Sequence, residues 1–174
     1  MIFMSQSGLT DPRREADWDT WYLEHLRLMV SVNGVDSAQR FKTSTSGYSP
    51  SLAMYSMRSA AVFEDPYYLS IRGLGEFLPL IDRQHYHRNL FAGLDHAPGV
   101  ASDRILLVWD VAAPRETPGV EFSWLEAVAI DRSTPYRGIA VVATMRAQEL
   151  TLPEGIARYV PATAVFHKPP PAEP

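Results

Sequence analysis

The stretch TDPRREADWDTWYLEHLRLMVSVNG, residues 10–34, decides how the rest of the chain is read. Thr10-Asp11-Pro12 is a helix start: side chains able to cap, then a proline at the first helical position, where its missing N–H leaves no bond unmade. Residues 13–32 carry a helical period. Trp18, Tyr22, His25 and Met29 fall at spacings of four, three and four, so they share one face. Trp21, Leu26 and Val32 widen that stripe. Asn33-Gly34 ends it, because both residues tolerate the left-handed conformation of a helix C-terminus.

Working outward, residues 2–7 are β-prone and precede the helix. Residues 35–45 read as a strand, 46–50 as a turn and 52–58 as a second strand, which predicts a hairpin. Asp65-Pro66 starts a second helix, with Phe63 before it as a hydrophobic staple. That helix covers about residues 67–71 and is interrupted at Gly73-Leu74-Gly75. Residues 84–94 read as a fourth strand. The order β-α-β-β-α-β is the ferredoxin-like pattern: an antiparallel sheet with helices on one face. The other face needs a cover, from a second copy between chains or from a second half within one.

The remainder echoes this order weakly. Residues 104–111 read as a strand, 114–119 as a loop, and 120–131 as a short helix carrying Phe122, Trp124, Leu125 and Val128. Residues 138–145 and 157–167 read as two strands. The expected division is a ferredoxin-like half at 1–97, a degenerate second half at 98–168, and a proline-rich, disordered tail at 169–174. The fold class expected is α+β.

Composition narrows the function classes. The chain has 174 residues, a net charge of −4 and 46% hydrophobic residues, enough for a real core. A pI near 5.7 and only two lysines, Lys42 and Lys168, argue against a nucleic-acid partner. With no cysteine, disulfides, thiolate nucleophiles and cysteine-held metals are excluded, which fits a cytoplasmic setting. Residues 1–7 make a poor signal peptide, and no apolar run approaches the ~20 residues needed to cross a bilayer. Gly73-Leu74-Gly75 lacks the third glycine of a dinucleotide fingerprint, and no Gly-x-Ser-x-Gly elbow occurs.

Trp18-Asp19-Thr20-Trp21-Tyr22-Leu23-Glu24-His25-Leu26, followed by Gly34-Val35-Asp36-Ser37-Ala38-Gln39-Arg40-Phe41, resembles the EthD-like branch of the dimeric α+β barrel superfamily, over roughly residues 1–95. The resemblance implies a barrel with a ligand pocket between sheet and helices. It also implies a class rich in cofactor-independent enzymes: quinol-type monooxygenases, polyketide cyclases, lactone isomerases and dehydratase-like lyases. Fold analogy alone does not select among them.

His25 is the first candidate for chemistry, since it lies on the aromatic stripe and an imidazole exchanges protons near neutral pH. His85 and His87 follow. Strand alternation puts them on one face with Asn89, about 7 Å apart, and puts Tyr86 and Arg88 on the other. They suit a proton relay, a metal site completed by His25 or Asp19, or a plain polar surface. Tyr55 is placed to hydrogen-bond a carbonyl or enolate oxygen. Tyr22, Trp21, Tyr68 and Arg88 are the candidate substrate contacts, and Arg72 joins Arg88 as a group able to grip a carboxylate.

The expected function is cofactor-independent proton-transfer chemistry on a small oxygenated organic molecule. The alternative is a non-catalytic binding or accessory protein using the same pocket. A homodimer is expected because an uncovered sheet face is costly to leave wet.

Overall fold

The computed structural model describes residues 1–168. The tail expected at 169–174 lies outside them. Strands β1 (Ile2–Ser7), β2 (Val35–Lys42), β3 (Ser51–Met57) and β4 (His87–Ala92) form the first half of the sheet, and β5 (Arg104–Val111), β6 (Ser123–Ile130), β7 (Tyr136–Ala143) and β8 (Ile156–Pro161) the second. All pairings are antiparallel, and the neighbours run β3-β1-β4-β6-β7-β5-β8-β2, with β2 pairing back onto β3. The eight strands therefore close into a barrel within one chain. Two-residue β9 (Phe166–His167) adds to β2 at Ser37 and Ala38.

Both sets of four strands have the same order: β2-β3-β1-β4 in the first, β6-β7-β5-β8 in the second. The sets meet at two seams, β4–β6 and β2–β8. The homodimer was expected in order to cover an open sheet face; here that face is covered inside the chain.

The helix read from residues 13–32 forms as α1 (Glu15–Ser31), after a 3-10 turn at Pro12–Arg14 that Asp11 caps through Arg13 N–H at 3.1 Å. An isolated helix of this length is marginal in water. Its packing supplies the stability: Trp18, Tyr22, Leu26 and Met29 are buried against the outer face of β1–β4, each contributing about 2 kcal/mol. Asp19 fixes its lateral position by accepting from Arg40 at 2.7 Å and Lys42 at 2.6 Å, so Asp19 is committed to cations and not to a metal. The short helix α2 (Pro66–Ile71) is capped by Asp65 through Tyr68 N–H at 2.9 Å.

Period-two alternation divides each strand between two cores. On β1, Ile2 and Met4 point into the barrel and Phe3 points under α1. On β4, Phe91 points inward and Leu90 outward. One end of the barrel interior is polar. There Arg137, fully buried, holds Asp110 through two bonds of 2.7 Å and Gln6 at 2.8 Å.

Three expectations are corrected. Residues 120–131 hold strand β6, not a helix; Leu125 faces the barrel core while Trp124 packs outward against Trp109 and Phe122, and both edges of the strand pair, with β4 and β7. The second half thus has four strands. It lacks the helix between its first two and instead has α3 (Thr144–Glu149) before its last. The fourth strand begins at His87, because Asp82 turns the chain at 82–85 by accepting from Gln84 N–H at 2.9 Å and His85 Nδ1 at 2.7 Å. Among the described residues no helix is long and apolar enough to cross a membrane.

Closure at the β4–β6 seam depends on Gly93, whose φ is +122° and where a Cβ would sit 2.5 Å from the Trp124 carbonyl oxygen. Gly93→Ala should therefore lower unfolding free energy by about 3 kcal/mol, from backbone strain plus overlap. Gly47→Ala, also at positive φ but with nothing within 4 Å, should cost about 1 kcal/mol. Urea unfolding of the two variants checks the contrast.

Candidate functional site

A cavity of about 350 Å³ lies between α1 and the outer face of the first half-sheet. Its floor comes from alternation on three paired strands. Phe3 sits opposite Tyr55 and Ser5 opposite Arg88, all pointing toward α1. Tyr22, His25 and Met29, at helical spacing, form the roof. Tyr68 of α2, Arg72-Gly73-Leu74 and Tyr86 close the sides.

The lining has one sign of charge. Arg72 and Arg88 bring two guanidinium groups, and among the described residues no aspartate or glutamate lines the cavity. Arg88 reaches only weakly toward Asp131, at 4.0 Å, and its ring neighbour is Tyr86, 5.6 Å from the guanidinium carbon. Its Nε is buried and has no hydrogen-bond partner among the described residues. A buried donor without an acceptor is costly, and an acceptor on a ligand removes that cost.

Four phenols, Tyr22, Tyr55, Tyr68 and Tyr86, face the same space, and all are held in the protonated form. Burial raises Tyr55 well above its ordinary value, and the neighbouring phenols of Tyr22 and Tyr68 add to this. Burial also raises Tyr22, Tyr68 and Tyr86, and outweighs the opposing pull of Arg40 on Tyr22, of Arg88 and Arg72 on Tyr68, and of Arg88 on Tyr86. The site is therefore rich in hydrogen-bond donors.

His25 is set by a ring ladder. Trp18 stacks on Trp21 at 4.8 Å and 3°, and Trp21 stacks on His25 at 4.6 Å and 13°, which follows from their i, i+3, i+7 spacing on α1. Burial pushes the imidazole down to about 4, with no neighbouring charge to offset it. It is neutral at pH 7 and lines the cavity.

Of the residues singled out from the sequence, His25, Tyr55, Tyr22, Tyr68, Arg88 and Arg72 line this one cavity. Trp21 stands behind His25 and does not line it. His85 and His87 do not join them. The wall of β4 intervenes: His87 shares the barrel-facing side with Asn89 and Phe91, while Tyr86 and Arg88 look toward α1. His85 lies in the turn before the strand, so its expected alternation partner is set by the Asp82 turn instead. Among the described residues, no group of three or more histidines, aspartates or glutamates is placed to hold a metal.

Tyr86 and Ser5 are the residues that sequence reasoning passed over. The same alternation that paired Tyr86 with Arg88 contained the signal, once the helix side of the sheet is taken as the site. Ser5 shares its face with Phe3 by the same rule.

The lowered His25 value makes a pH prediction. The folded state disfavours the imidazolium, so the stabilisation exists above the ordinary imidazole value of 6.5 and is lost as pH falls from there toward about 4. Between pH 7.0 and 4.5 the loss should be about 2 kcal/mol and should vanish in His25→Asn. Urea unfolding of both proteins at pH 7.0 and 4.5 measures it.

Comparison with known protein families, curated proteins and solved structures finds no match to this chain.

Proposed function

We propose that the cavity under α1 binds a small oxygenated organic anion and that His25 moves a proton on it. The observation that carries this reading is the lining itself: two guanidinium groups, four protonated phenols and a neutral imidazole, with no carboxylate among the described residues. A volume of about 350 Å³ suits a molecule at the small end of ligand size. Arg88 and Arg72 take the carboxylate, Arg88 through the buried Nε. His25 accepts a proton from the carbon beside a carbonyl. Tyr55 or Tyr22 donates to the oxygen on which the enolate charge develops. An imidazole held near 4 is a weak base in the empty site; a bound anion beside it raises its proton affinity, so base strength arrives with the substrate.

Dehydration, isomerisation, cyclisation and oxygen insertion all start from such an enolate, and none needs a cofactor to form it. This is a cofactor-independent enzyme of lyase, isomerase or monooxygenase type. The matching strand orders of the two halves support the ferredoxin-like and EthD-like reading of the fold, with the barrel completed by one chain. The cysteine-free composition fits the cytoplasmic setting expected for it. The second reading, a non-catalytic binding protein, is favoured by one fact: His85 and His87 lie across the barrel wall, so among the described residues lining its cavity His25 has hydroxyl groups and no second imidazole as proton partners.

Two measurements separate these readings. A panel of small carboxylates, including benzoate and 1,3-dicarbonyl acids, should raise the melting temperature of the wild type, and Arg88→Gln should weaken binding of the hits ten- to hundred-fold, or about 1.5–3 kcal/mol. Bound 1,3-dicarbonyl acids should exchange their acidic C–H for deuterium in D2O, followed by NMR. His25→Ala should slow that exchange by about 10²–10⁴ while leaving binding in place. Binding without any enzyme-dependent exchange selects the accessory-protein reading.

A further inference from the structure

His85-Tyr86-His87-Arg88 serves two cavities. Tyr86 and Arg88 line the one under α1, whereas His85 and His87 line a second concavity of about 310 Å³ at the polar end of the barrel, together with Gln6, Tyr48 and Asp110. The proton-transfer reading leaves this second concavity without a role.

Its hydrogen-bonding sense is the reverse of the first. His85 Nδ1 lies 2.7 Å from Asp82 Oδ2, which fixes the proton on Nδ1 and leaves Nε2 as an acceptor. His87 Nε2 lies 3.1 Å from the Gln84 carbonyl oxygen, which can only accept, so Nδ1 is left with its lone pair. Asp110 accepts one bond from Arg137 on each oxygen and keeps further acceptor capacity. Its side chain is 30% exposed while that of Arg137 is 1% exposed, so the carboxylate, and not the guanidinium, meets the concavity. Two nearby hydroxyls turn their protons back into the protein, Tyr48 donating to the Gly155 carbonyl and Ser49 to the His85 carbonyl, while the Ser133 hydroxyl, which accepts from Asn89, and the amides of Gln6 and Gln84 join the lining. Among the described residues no lysine or arginine lines the concavity.

We propose that the barrel mouth is a second ligand site, for a primary ammonium group held by His85, His87 and Asp110. Three N–H donors on one cationic nitrogen match three outward acceptors, one of them charged. A metal ion needs its ligands at about 2.0–2.2 Å, and among the described residues no such cluster exists. Hydrogen bonds of about 2.8 Å to an ammonium nitrogen do not require that short metal–ligand spacing.

The test is an NMR titration of the histidine ring resonances at pH 8, above the ordinary imidazole range. Ethylammonium chloride is one probe; tetramethylammonium chloride, equally charged but without N–H donors, is the other. Ethylammonium should shift His85 and His87 saturably and leave His25 unmoved. Tetramethylammonium should bind at least about tenfold more weakly, the loss expected from missing charge-assisted hydrogen bonds. The double variant His85→Phe/His87→Phe, at two partly exposed positions, should bind ethylammonium at least about tenfold more weakly while its circular dichroism and carboxylate binding stay those of the wild type. Equal responses to the two cations, a response that never saturates, or wild-type affinity in the double variant would overturn the proposal.

Discussion

Strand β4 is held on both edges, by β1 on one side and β6 on the other, and this double pairing is what the rest of the molecule depends on. It closes the barrel at one seam, and it fixes which way each side chain from His87 to Ala92 must point. A strand offers only two faces. Once β4 is locked between two neighbours, Arg88 has no choice but the helix side and His87 none but the barrel side. A one-residue slip would exchange the two sets and move the guanidinium out of the cavity under α1. Gly93 protects that register by letting the chain pass against the backbone of β6.

The two concavities are then consequences of which residues fall on each face. The space under α1 gathers donors, guanidinium groups and buried phenols, around one neutral imidazole. The barrel mouth presents the Asp110 carboxylate and two imidazoles, while Arg137, Tyr48 and Ser49 donate inward to Asp110, Gln6 and backbone carbonyls. Arg137 is central to that second pattern. Fully buried, it can persist only with its charge compensated, and the Asp110 pair plus Gln6 provide that compensation. The outcome is a barrel with an apolar middle, a polar end, and a helix-covered flank that carries the opposite hydrogen-bonding sense.

Local signals in the sequence were strong where a single element could satisfy itself. The Asp11-Pro12 start, the Trp18-Tyr22-His25-Met29 stripe and the Asn33-Gly34 stop all mark α1, and the β2–β3 hairpin follows from its turn residues. Three cavity residues were legible because they sat on those elements, Tyr22 and His25 on α1 and Tyr55 on β3, and three more, Tyr68, Arg72 and Arg88, because they sat on or beside α2 and β4. Residues 123–130 show where local reading fails. Ser-Trp-Leu-Glu-Ala-Val-Ala-Ile is apolar on both faces, so its period does not distinguish a buried strand from a short helix. It becomes β6 because two open edges, β4 and β7, need a partner between them, and that demand comes from elsewhere in the chain.

The amino-acid sequence by itself determined the first half's order of elements, the face of α1 that turns inward, and the chemical types available for a site: imidazole, phenol and guanidinium, with no thiol. The tertiary structure alone decided which of these share a cavity. His25, His85 and His87 are alike as a list of side chains, but a sheet one strand thick separates the first from the other two. Closure of that sheet into a barrel is a long-range event, made by pairings between residues some forty positions apart at one seam and well over a hundred apart at the other. No local periodicity encodes which side of such a wall a residue will face.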